Sequence, residues 1–154
     1  MSYIIHLFNL RYPQETIESN LEMLGLEEDD SPLGDKERAN QDRLIAQMSD
    51  VSREQKVFRH KTGAVINLAI EPDIRCGTQI ELDRHHITVS IPYWYSGEMA
   101  LPFFKEIWKY LRTLQQETGY LIYDIQLDKT LDLAVDFQDV YKRYTFLEQI
   151  RATN

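Results

Sequence analysis

Apolar residues fall in two rhythms along this chain, and the rhythms mark its elements. Residues 3–9 run almost unbroken as Tyr3-Ile4-Ile5-His6-Leu7-Phe8-Asn9, which predicts a central strand covered on both faces. Tyr12-Pro13 then opens a helix whose apolar stripe is Ile17, Leu21 and Leu24, with Gly25 as its stop. The polar stretch 27–35 reads as a loop. A second helix is expected from Asp35 to about Met48, and its thin stripe of Ala39, Leu44, Ile45 and Met48 places it at the surface.

The middle of the chain changes to a period of two. Ala64, Ile66, Leu68 and Ile70 alternate with Val65, Asn67 and Ala69, as in a strand with one buried face. Two more strands are expected at Gln79–Asp83 and His86–Ile91, joined by a turn at Asp83-Arg84-His85. Val57 and Phe58 point to a further short one. Helical spacing returns from Gly97 to Thr118, with Phe104, Ile107, Trp108, Leu111 and Leu114 on one face and Gly119 as the stop. Residues 120–125 form the next strand, residues 129–133 a short return, and Asp136 caps a final helix carrying Phe137, Val140, Tyr141, Tyr144, Leu147 and Ile150 on one face. The order lacks βαβ repeats. It predicts a single α+β domain over residues 1–154, with a mostly antiparallel sheet, helices mainly on one face, and a split-βαβ, ferredoxin-like kernel.

A hydrophobic share of 43% over 154 residues supports a real core in one domain. Cys76 is the only cysteine, so no internal disulfide forms. The start resembles no signal peptide, and no stretch reaches the roughly 18 apolar residues of a membrane helix. A cytoplasmic protein without membrane contact is the expectation. With 25 acidic and 17 basic residues the net charge is −8. Such a surface repels phosphate backbones and attracts basic proteins.

Candidate chemistry is sparse. Cys76 follows Arg75, a neighbour that lowers a thiol pKa, but a Cys-His nucleophile needs His85 or His86 folded beside it. His85 and His86 are adjacent, so on a strand they diverge, and no spacing of ligands calls for a metal or other cofactor. The acidic run Glu27-Glu28-Asp29-Asp30 lacks the alternation of a calcium loop. It reads as a solvated loop, or as contact with a basic partner. Tyr93-Trp94-Tyr95 follows Pro92 at the end of a strand. Three successive rings in a strand diverge, which predicts that one or two stay exposed as binding anchors, unless they plug the junction with the long helix.

Thr118-Gly119-Tyr120-Leu121-Ile122-Tyr123-Asp124-Ile125-Gln126-Leu127, with Met1-Ser2-Tyr3 leading into the first strand, resembles small bacterial families of uncharacterised proteins. Some of their members look like immunity proteins of polymorphic or contact-dependent toxin systems. In those, Tyr/Phe-Asp-Pro-Gln follows the helix-ending Gly, and here Ile125 stands in place of the Pro. The resemblance implies a non-enzymatic protein that neutralises a basic toxin domain by binding it. Tyr93, Trp94, Tyr95 and Glu27 to Asp30 are then the expected contact residues. Two alternatives are a small enzyme around Cys76, His85 and His86, and a structural homo-oligomeric subunit. Independently of the resemblance, Asp124 is placed to accept backbone hydrogen bonds in the turn that follows it.

Overall fold

Strand β1 (Ser2–Phe8) lies inside the sheet, between β5 (His86–Pro92) and β6 (Leu121–Asp124), and is antiparallel to both. Tyr3, Ile5 and Leu7 are fully buried while Ile4 and His6 are half-buried, so the two faces of this apolar run differ. The structure, a computed structural model, describes residues 2–9, 31–51, 54–71, 74–93 and 95–153. The helix expected at 13–24 lies outside them.

The remaining strands are β2 (Glu54–His60), β3 (Gly63–Glu71), β4 (Ile74–Leu82) and the two-residue β7 (Lys129–Thr130). They complete a seven-stranded sheet in the order β2-β3-β4-β5-β1-β6-β7. Every ladder is antiparallel. The expected α+β class and antiparallel sheet are found. The narrower ferredoxin-like kernel is not established by this order, since the sheet extends well beyond four strands. From β1 the chain passes through a helix to the far edge strand β2, then returns as a meander through β3, β4 and β5.

Three helices stand among the described residues: α1 (Asp35–Val51), α2 (Ala100–Thr118) and α3 (Phe137–Thr153). They share one core with the sheet face formed by Tyr3, Ile5, Leu7, Ile66, Ile80 and Val89. Glu37 caps α1 by reaching back to the Gly34 N–H at 3.1 Å, a return bond that satisfies an otherwise orphaned donor. Leu44, Ile45 and Met48 bury α1 against β3 and α2. The helix lies at the surface, as its thin stripe predicts, with this one face buried, and Ala39 is exposed rather than part of the stripe. Helix α2 carries the main apolar face, with Phe104, Ile107, Leu111 and Leu114 at 0% exposure. It ends where Gly119, at φ 69°, adopts the left-handed conformation that closes a helix. None of the helices is long and apolar enough to cross a membrane, among the described residues.

Cys76 belongs to β4 rather than to a loop. Asn67 pairs with Gln79 and Ala69 with Arg75, so β4 holds extra residues opposite Leu68. Gly77 takes up the bulge at φ 67°.

Candidate functional site

The aromatic triplet sits at the exit from β5. Pro92 is the last strand residue and Tyr93 is in a turn. Tyr93 and Tyr95 are only 6% and 8% exposed, both turned into the core. Tyr93 stacks on Tyr144 of α3 with centroids 5.2 Å apart, and Tyr95 stacks on Phe103 of α2. The Tyr144 hydroxyl donates to Pro92 O at 2.7 Å, and Arg151 donates to Tyr93 O at 2.8 Å. The two tyrosines therefore plug the junction of strand and helices instead of standing at the surface as anchors. Trp94 and Glu27, Glu28, Asp29 and Asp30 lie outside the described residues.

A second group joins residues that are far apart in sequence. Strand pairing sets Phe8 opposite His86 and His6 opposite Thr88. His6 and His86 become diagonal neighbours on the sheet face away from the helices, with His6 Nδ1 2.9 Å from His86 Nε2. The rings of His6, His86 and Phe8 stack with centroids 5.0–5.6 Å apart. Asp83 Oδ2 stands 3.9 Å from His86 Nδ1. Burial, and then the neighbouring His86, hold the His6 pKa down at about 4, because both effects penalise the imidazolium. The unfolded chain therefore binds the extra proton between about pH 6.5 and 4, and stability rises with pH through that window. Lowering the pH from 7 to 5 is expected to cost about 1–2 kcal/mol from His6 after allowance for solvent screening. Urea unfolding of wild type and His6→Phe at both pH values checks this: equal pH slopes in the two proteins would refute it.

A third group lines a cleft of about 350 Å³ between α1, the C-terminal end of α2 and the β4–β5 turn. Its charged walls are internally matched. Arg84 pairs with Glu37 and donates to Ser31 O at 2.8 Å, while Arg43 lies 3.9 Å from Glu117. His85 and Asp83 stand at its rim. Cys76 is far away. Leu82 pairs with Ile87 at the opposite end of the β4–β5 hairpin, which puts Cys76 about 20 Å along the strand from His86 at roughly 3.3 Å per residue. A Cys76 nucleophile served by His85 or His86 does not assemble. No group of three or more metal-ligating side chains gathers among the described residues.

The other face of the sheet carries a mixed set of side chains among the described residues. Lys56, Phe58, Gln79 and Glu81 are exposed on it, and Val65, Asn67, Thr88 and Ser90 are half-buried. Sequence reading missed both this platform and the histidine pair, since each depends on strand neighbours. The signal for the pair was present in the unusual placing of His6 within an apolar strand. Comparison with protein-family models, curated proteins and solved structures gave no match.

Proposed function

We propose that the chain is a binding protein of the immunity type, neutralising a basic bacterial toxin domain by covering it. The observation that carries this reading is the placing of the described helices: all three pack on one face of the sheet, and the residues described on the other face from β2 to β5 form a mixed, partly exposed platform. Such a surface suits contact with a macromolecule better than enclosure of a small substrate. Net charge −8 favours a basic partner and speeds its approach. The resemblance around Gly119 to Leu127 points the same way. The same reading takes β5, α2 and β6, which bracket β1, as half of a ferredoxin-like core enlarged by the meander.

The test looks first for a toxin gene beside this one, whose absence would count against the reading, and then uses the toxin domain that such a gene encodes. Co-expression should restore growth, and surface plasmon resonance should give a complex whose association slows as salt is raised. Glu81→Lys, a change at an exposed platform residue, should slow association severalfold and leave the melting temperature unchanged. Neither protection nor binding by wild type would remove the immunity reading. Binding with unaltered kinetics in Glu81→Lys would move the contact off the platform.

A further inference from the structure

We propose that a second copy of this chain docks along the edge strand β2, antiparallel, with a two-fold axis through Val57. The two seven-stranded sheets then run on as one. Among the described residues, strand β2 pairs only with β3 and is the sheet edge. Its hairpin has a two-residue turn, Lys61-Thr62, closed by the pair His60–Gly63. In such a hairpin the closing pair exchanges both backbone bonds, and bonded pairs then alternate along the ladder. The N–H and C=O groups of His60, Phe58, Lys56 and Glu54 therefore serve β3. Those of Gln55, Val57 and Arg59 point outward, and among the described residues no backbone group answers them.

The sequence of the strand, Glu54-Gln55-Lys56-Val57-Phe58-Arg59-His60, is complementary to itself when reversed. With the axis at Val57, Val57 meets Val57 of the other copy and Gln55 meets Arg59, so the three outward-facing residues form three bonded pairs. Lys56 falls opposite Phe58, a cation against an aromatic ring. The alternatives are poorer. Moving the axis to Lys56 sets two ammonium groups face to face, and moving it to Phe58 leaves the start of the strand unpaired. Charged residues such as Lys56 and Arg59 ordinarily guard a sheet edge, but in the Val57 register neither meets its own kind directly across.

Phe58 supplies the apolar motive. Its ring is 55% exposed on the platform face, beside Val65 across the β2–β3 ladder. In the dimer the two Phe58 rings are diagonal neighbours across the seam, within reach for aromatic side chains. Val57, on the helix side, is already packed against the core, and its twin would extend that layer. The inference does not depend on the immunity reading, since the seam uses the edge of the sheet and leaves Gln79 and Glu81 uncovered.

An interface of one strand pair belongs among small, weak ones, below about 1,200 Å². Sedimentation equilibrium at tens of micromolar is therefore the measurement, and wild type should show a reversible monomer–dimer equilibrium. Phe58→Lys, at an exposed position, should raise the dimer dissociation constant by about tenfold or more. Val57→Pro removes an outward N–H that β3 does not use and should also give monomer. If circular dichroism shows that Val57→Pro does not fold, Phe58→Lys decides alone. For the register, Val57→Cys in a Cys76→Ser background should form an oxidised dimer, because paired Cα atoms lie about 5.5 Å apart there. Glu81→Cys in the same background should not. A monomeric wild type throughout this range, an unweakened Phe58→Lys dimer, or cross-linking at position 81 and not 57 would overturn the proposal.

Discussion

Trp108→Ala should lower stability by about 3–5 kcal/mol, the cost of emptying a large buried aromatic site. The ring is 4% exposed in the middle of the buried face of α2. Phe137 meets it edge-on with centroids 5.3 Å apart. Trp108 also does something that apolar spacing could not reveal. Its Nε1–H donates to Leu133 O at 2.8 Å, which ties the loop before α3 to the middle of α2. Truncation opens a cavity and leaves a buried carbonyl unsatisfied, and the two costs add. Trp108→Phe should separate them, losing about 1–2 kcal/mol because it keeps much of the packing but not the donor. Urea unfolding followed by circular dichroism is the suitable measurement, since fluorescence changes with the substitution itself. An unchanged midpoint in Trp108→Ala would mean that the buried face of α2 is assigned wrongly.

Legibility in the sequence followed the range of the interactions involved. Helix α2 was readable because its stripe, its Gly119 stop and its helical conformation are local. The β4–β5 hairpin was readable too, since its turn residues and both alternating runs are contiguous. The contribution of α1 was underestimated because Leu44, Ile45 and Met48 gain their burial from β3 and α2, which periodicity does not place. Tyr93 and Tyr95, two residues apart, continue the inward alternation of Val89 and Ile91, so both rings turn into the junction that the sequence offered as the alternative to exposed anchors. His6 and His86 come within 2.9 Å only because β1 pairs with β5, a long-range contact of which the polar His6 in an apolar strand is the one local trace. The Asp124 turn, in contrast, was foreseen: Asp124 Oδ1 accepts the Leu127 N–H at 3.0 Å. The same holds in reverse for Asp136. Its carboxylate is engaged from behind, by Lys129 Nζ and the Asp132 N–H at 2.7 Å each, so it anchors the preceding loop while only its carbonyl serves α3, through Val140.

Asp124→Ala should cost about 2–4 kcal/mol, because one carboxylate there satisfies several buried donors. Asp124 is 0% exposed. The Tyr3 hydroxyl donates to its Oδ2 across the β1–β6 pair. Oδ1 takes the Leu127 N–H and, with the Gln126 amide oriented to satisfy its neighbours, the Gln126 side chain at 3.1 Å. That amide also donates to Ile4 O at 2.8 Å and accepts from Ile4 N at 3.2 Å, so a side chain carries the ladder past the end of β6. Removing Asp124 strands the Tyr3 hydroxyl and loosens both the turn and this extension. The gain on the other side is the relief of a buried charge. Burial raises the Asp124 pKa, against the opposing pull of the bonds from Tyr3, Leu127 and Gln126 and of the Arg143 charge, and this relief keeps the net cost below the sum of the lost bonds. Tyr3→Phe provides the sign test. The hydroxyl favours the ionised carboxylate, so its loss raises the Asp124 pKa further. The penalty of Tyr3→Phe should therefore be larger on the alkaline side of the Asp124 titration, where the carboxylate is ionised, than on its acid side. In a double-mutant cycle Tyr3→Phe and Asp124→Asn should couple by about 1 kcal/mol or more. Additive effects, or a Tyr3→Phe penalty that grows as the pH falls, would show that the hydroxyl does not support this carboxylate.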